Sequence, residues 1–250
     1  MSTILECRNI YKFFGGLTAL ANVDLAVQEG DIYGVIGPNG AGKTTLFNVI
    51  SGALKPTSGE VFFAGKRITG RESNKICRLG IARTYQLVRP FASLSALENV
   101  LVGVSFGREP LLPAEERVTH ALSQLDFVGL GEKAEEAAEN LTLVEKKRLE
   151  IARALATEPK VLLLDEVVSG LTPTEVANLI EIVREIQSRG VTIVMIEHVL
   201  KVVMELCRTV MVLHYGSRIA CGSPAEVVSD PEVITAYLGT TQPQTGGDGA

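Results

Sequence analysis

The sequence predicts an α/β protein: a mainly parallel sheet with a helical subdomain inserted between its two halves. Three observations carry this. Short apolar runs at 31–36, 161–164, 191–196 and 210–213 have strand length and alternate with helical stretches. From about Leu94 to Ala156 the strand signal disappears and helical spacing replaces it. A glycine-rich loop joins the first apolar run to a helix.

The elements follow in order. Ile4 to Ile10 reads as a strand, and Val23 to Val27 alternates as a second. Asp31 to Ile36 is the third. Lys43 to Ile50 reads as a helix with Gly52 at its end. Ser58-Gly59 is a turn, and Val61 starts another strand. In the middle, Ala114 to Phe127 is amphipathic. Thr142 to Ala156 carries Leu149, Ala152, Leu155 and Ala156 on one stripe. Strands return after Pro159, with a long helix from Pro173 to Arg189 between the first two.

Composition narrows the function. The 250 residues are 46% hydrophobic, enough for a sizeable core. Lys+Arg 24 against Asp+Glu 29 gives a net charge of −5, which argues against a general nucleic-acid binder. Cys7, Cys77, Cys207 and Cys221 match no zinc spacing and are expected to be reduced thiols of a cytosolic protein. No signal peptide is visible, and no apolar stretch approaches the roughly 18 residues that span a bilayer. The chain is therefore expected to be soluble and to meet a membrane only through a partner.

Gly37-Pro38-Asn39-Gly40-Ala41-Gly42-Lys43-Thr44 fits Gly-x-x-x-x-Gly-Lys-[Ser/Thr], with a strand before it and a helix after it. Glycines let backbone N–H groups converge on phosphate oxygens, and the helix start adds a positive dipole end. Lys43 reaches terminal phosphates, and the Thr44 hydroxyl can ligate Mg²⁺. Downstream, Val161 to Leu164 runs into Asp165-Glu166. Adjacent strand residues point to opposite sides. Asp165 can then hold the Mg²⁺ shell while Glu166 polarises a water as general base. Gln86 and His198 sit at further strand ends, where a γ-phosphate sensor and a metal-water ligand would lie.

In this order the residues resemble the nucleotide-binding subunit of an ABC transporter over about residues 4 to 239. The resemblance implies a P-loop NTPase (RecA-like) core with an N-terminal antiparallel β part. It implies one domain over 1–240, with an α/β core at 1–87 and 157–240, a helical subdomain at 88–156 and a disordered tail at 241–250. Residues 37–44 match Walker A, which Thr45 extends. Gln86 matches the Q-loop and a metal ligand, Leu162 to Asp165 Walker B, Glu166 the catalytic glutamate and His198 the switch histidine. Phe14 matches the aromatic that stacks on adenine, unless it is a core aromatic. ATP and Mg²⁺ are the implied ligands.

Finer segments point to a branch. Phe14 to Leu20, Gly80 to Gln86, Leu97 to Val100, Glu197-His198 and Asp230 to Gly239 are similar to the importer ATPases for branched-chain amino acids. Urea-type and lipopolysaccharide-export ATPases are close. A soluble, non-transport ABC ATPase is the alternative of another class. The implied partners are polytopic permease subunits, a second ATPase subunit and, indirectly, a periplasmic or extracellular solute-binding protein. The implied place is the cytoplasmic face of the cell membrane.

Two stretches depart from the family. The signature Leu-Ser-Gly-Gly-Gln is here Leu141-Thr142-Leu143-Val144-Glu145. Both glycines are gone, and Glu145 puts an anion near a polyanion; Thr142 can still cap the helix. The next element reads Ser169-Gly-Leu-Thr172, without its usual Asp. Because these stretches serve a partner's ATP, they favour a heterodimer. Lys146-Lys147-Arg148 reads either as a solvated helix face or as cations that soften the charge of Glu145 near a bound nucleotide, and Glu132 to Glu139 as an acidic helical face. Phe91, beside Pro90, either joins a groove for a helix of the membrane subunit or packs in the subdomain core.

Overall fold

The computed structural model describes residues 2–107 and 113–238; the tail expected to be disordered lies outside them. The chain opens with two long antiparallel strands, β1 (Thr3–Phe14) and β2 (Leu17–Gln28). β3 (Ile32–Ile36) is fully buried and leads into α1 (Lys43–Ile50). β4 (Ser58–Phe63), β5 (Lys66–Arg67), α2 (Ser73–Leu79) and β6 (Ile81–Arg83) follow. The helical middle comprises α3 (Ala96–Phe106), α4 (Ala114–Phe127) and α5 (Leu143–Leu155). Then come β7 (Val161–Asp165), α6 (Pro173–Ser188), β8 (Thr192–Ile196), α7 (Leu200–Leu206), β9 (Thr209–His214), β10 (Ser217–Gly222), α8 (Pro224–Ser229) and α9 (Pro231–Leu238).

Two sheets result. An antiparallel sheet runs β2-β1-β4-β5, and a larger one runs β10-β9-β3-β8-β7-β6. In the larger sheet only β10 pairs antiparallel. All five parallel strands thus end on the same edge, the edge that carries ligand sites in open α/β sheets.

The two-residue period of the strands divides the core. Val161 and Leu163 of β7, Val194 and Ile196 of β8, and Met211 and Leu213 of β9 face the antiparallel sheet and α1. Their alternates Leu162, Leu164, Ile193, Met195, Val210 and Val212 face the helices. Strands buried on both faces read as continuous apolar runs, which explains their legibility in sequence. Phe47 of α1 is fully buried between the sheets.

The sheets are also bonded to each other. Gly216, in the β9–β10 turn, accepts a hydrogen bond from Ala21 N of β2 (2.8 Å) and donates to the carbonyl of Ala41 (3.0 Å).

The segment 132–139 is no helical face. It forms two short 3-10 turns, Gly131–Lys133 and Ala138–Asn140, and Lys133 is ion-paired with Glu136 and Glu145.

Candidate nucleotide site

The glycine loop is built by backbone geometry that other residues resist. Gly37 has φ 147° and a Cβ there would collide with the Leu213 carbonyl oxygen. Gly42, the N-cap of α1, has φ 101°. Only glycine enters these regions without strain. The loop leads directly into the start of α1, whose first N–H groups have no intrahelical acceptor.

Lys43 is buried, and its Nζ donates to the carbonyls of Gly37 (2.7 Å) and Pro38 (3.0 Å). Burial lowers its pKa, opposed by the charges of Glu166 and Asp165. A cleft of about 330 Å³ lies over the loop, lined by Phe14, residues 39–45, Gln86 and Glu166 among others. Phe14 is exposed rather than a core aromatic, with Lys12 Nζ 5.0 Å from its ring centroid. Six expected binding residues of the loop, Thr45, the aromatic, Gln86 and Glu166 thus share one cavity.

The two carboxylates diverge, but not through strand alternation: β7 ends at Asp165, and a left-handed turn at Glu166 separates them. Asp165 ends β7 inside the protein and Glu166 turns out of it, with φ 49°. Gln86 Nε2 donates to Glu166 Oε2 (2.7 Å). His198 lies outside the cleft, its Nδ1 3.8 Å from Glu166 Oε1, too long for a hydrogen bond. Asp165 lines a second, larger groove that also contains Thr44 and Gln86.

Three participants escaped the sequence reading. Arg83, at the end of β6, is paired with Asp165 Oδ2 at 2.7 Å, and both side chains are nearly inaccessible. It also donates to Asn48 Oδ1 (2.6 Å). Burial raises the Asp165 pKa, and Arg83 opposes the rise. A cation ending an apolar strand was the available signal. The second is Lys147. Although Lys146 and Arg148 are partly exposed, Lys147 is buried and donates to the Glu166 carbonyl (3.1 Å). The solvated-face reading fails here because α5 turns this residue towards the sheet. The third is Glu197, fully buried, whose pKa burial pushes up to about 7.

Residues 141–145 lie outside the cleft. Leu141 is buried, while Thr142 and Leu143 are exposed. Thr142 and Glu145 form a capping box: Glu145 accepts from the Thr142 N–H and hydroxyl (2.9 Å each). Glu145 also pairs with Lys133 at 2.8 Å, and its pKa falls to about 2. Thr172 caps α6 the same way with Glu175. Phe91 is 49% exposed and lines the groove beside Gln86, with Arg153 over its ring at 5.7 Å. It does not pack in the subdomain core.

Residues 20–169 match the family model described as ABC transporter. The chain belongs to that family. Residues 217–241 match a second model, the branched-chain amino acid ATP-binding cassette transporter. Among curated relatives, the high-affinity branched-chain amino acid transport ATP-binding protein LivG of Salmonella typhimurium is 38% identical over 249 residues, covering 94% of this chain and 98% of the relative. The BraF protein of Pseudomonas aeruginosa gives the same identity and coverage. A solved ATP-binding cassette of an ABC transporter in its ADP conformation superposes with TM-score 0.87 at 36% identity, covering 96% of this chain and 100% of that one. A nucleotide-free cassette gives 0.86 at 34%, covering 95% and 100%. This ABC ATPase is therefore an ATP-binding, ATP-hydrolysing transporter subunit, and among the described residues no helix is long and apolar enough to cross a membrane.

Proposed function

We propose that this ABC ATPase powers the import of branched-chain amino acids, docked on polytopic permease subunits at the cytoplasmic face of the membrane. The relatives named above and the match at 217–241 support that branch. A solute-binding protein on the far side would deliver the solute. The observation that carries the enzymatic reading is the shared cleft of Phe14, the loop 39–45, Gln86 and Glu166.

In this reading Phe14 stacks on adenine, and the loop N–H groups with Lys43 hold the phosphates. Glu166 takes the proton of the attacking water, oriented by Gln86, with His198 beside it. The donor set fits Mg²⁺. Asp165 Oδ1 is buried and unpartnered because Arg83 occupies only Oδ2. Thr44 and Gln86 line the same groove and supply hard oxygen donors. The ion, when bound, neutralises charge on the phosphate oxygens.

The experiment is Glu166→Gln, which keeps shape and loses the base. Nucleotide binding should persist while hydrolysis stops and a closed dimer accumulates with ATP. Turnover at the wild-type rate would remove Glu166 from the mechanism.

The working pair is a heterodimer. Each ATP would lie between one subunit's loop and the other's signature; a cassette that this chain resembles at 26% identity is dimeric and binds ADP and Pi. The Thr142 hydroxyl is engaged by Glu145, which stays anionic because Lys133 and the Thr142 N–H stabilise its charge. This signature offers the partner's phosphate little. A partner with intact glycines would complete the site built on Lys43. Glu166→Gln here should remove most ATPase activity of the assembled transporter, and the matching change in the partner little. Equal losses would refute the asymmetry.

A further inference from the structure

The turn that carries Glu166 is strained and held from two sides. A non-glycine residue at φ 49° sits in the left-handed region, a strained conformation that persists only where its surroundings impose it. Its N–H donates to the Ile196 carbonyl of β8 (2.9 Å). Its carbonyl accepts from Ser169 N (3.2 Å) within the turn and from Lys147 Nζ (3.1 Å) across from α5. Two residues on, Val168 N donates to Glu197 Oε1 (3.2 Å).

Lys147 is an unusual residue to find there. Its side chain is buried, and desolvation lowers its pKa against the attraction of Glu197, Glu150 and Glu166. A buried ammonium is costly unless its hydrogen bonds and counter-charges are well placed. Its hydrogen bond goes to a backbone oxygen, although three carboxylates are near enough to act on it.

We infer that Lys147 is a positioning residue for hydrolysis: from the signature helix of the same chain, its ammonium holds the Glu166 carbonyl and so keeps the left-handed turn that aims the Glu166 carboxylate at the cleft. This rests on reading Glu166 as the base. Lys147 touches neither nucleotide nor water in this scheme; it acts through the peptide of Glu166. Because α5 belongs to the helical layer and Glu166 to the sheet, the bond makes the aim of the carboxylate depend on how those two parts sit together.

The test compares four variants of the full chain. Lys147→Met keeps the length of the stem and removes the donor. Its affinity for ATP should stay within about twofold of wild type, while turnover at saturating ATP falls about tenfold to a hundredfold, the cost of a misplaced reacting group. Lys147→Arg keeps a cation and a donor and should restore most of the turnover. Lys147→Met also leaves Glu197 and Glu150 without their cation, which lowers stability for reasons unrelated to aim. Lys147→Met combined with Glu197→Gln relieves that charge, and the glutamine oxygen still accepts from Val168 N. The double variant should regain thermal stability and remain slow.

Recovery of both stability and turnover in the double variant would show that Lys147 only neutralises charge and would overturn the inference. So would a Lys147→Met variant with wild-type turnover beside an inactive Glu166→Gln. An active Glu166→Gln would instead overturn the reading of Glu166, and this inference with it.

Discussion

Replacing Arg83 with Met should destabilise the protein by more than any single cavity of that size explains. Arg83 and Asp165 are 2.7 Å apart, with side chains 5% and 1% exposed. Removing one member of a buried pair leaves an uncompensated charge and costs about 3–5 kcal/mol. Asp165 can escape part of this by taking a proton, since burial already raises its pKa. Arg83 also gives up its bond to Asn48 and its stacking on Phe47 (5.5 Å) and Tyr85 (5.1 Å). For a chain of this length the loss corresponds to a fall in Tm of roughly 6–20 °C. Denaturant unfolding of Arg83→Met, Asp165→Asn and the double variant closes a cycle. The double should cost clearly less than the sum of the singles. Additive losses, or a loss below about 1 kcal/mol for Arg83→Met, would refute the view that this pair sets the state of Asp165.

Three other expectations are independent of that pair. Lys43→Ala should weaken ATP binding by about 2–3 kcal/mol, roughly 30- to 150-fold in calorimetry, because a charged hydrogen bond to phosphate is lost; unchanged affinity would displace the site. Phe91→Ala should leave nucleotide binding intact and reduce recovery of the assembled transporter, since the ring is exposed in the groove; normal assembly would place the membrane contact elsewhere. Glu197 should make stability depend on pH: with its folded pKa raised from 4.5 to about 7, its contribution is complete below about pH 4.5 and is lost as pH rises through about 7. The difference is about 3 kcal/mol, so Glu197→Gln should flatten the slope of stability across that window, and an unchanged slope would mean the carboxyl is not protonated in the fold.

Much of this was legible because its signals are local. The loop 37–44 carries its geometry in its own glycines, and Asp165-Glu166 closes an apolar run whose both faces are buried. Pairings between distant strands gave no such signal. Arg83 and Asp165 are 82 positions apart and meet only because β6 and β7 are neighbours in the sheet. Lys147 misled because a run of three cations resembles a wet helix face, and one position in that run determines whether a side chain meets water or the sheet. The short elements α2, α7 and β10 lack the length for a periodic pattern. Glu145 looked like a plain obstacle to phosphate; its capping role needed the turn geometry of Thr142.

The bonds of Gly216 have a mechanical consequence. Through one residue the β2 strand, the β9–β10 turn and the glycine loop are pinned at a common point. Phe14 stands on the sheet to which β2 belongs, so the exposed ring and the glycine loop that line one cleft are joined through this point. A displacement at the groove that holds Phe91 would reach the seam between these joined parts and α3–α5, which the Lys147–Glu166 bond and the bond from Tyr85 N to Glu150 Oε2 both cross.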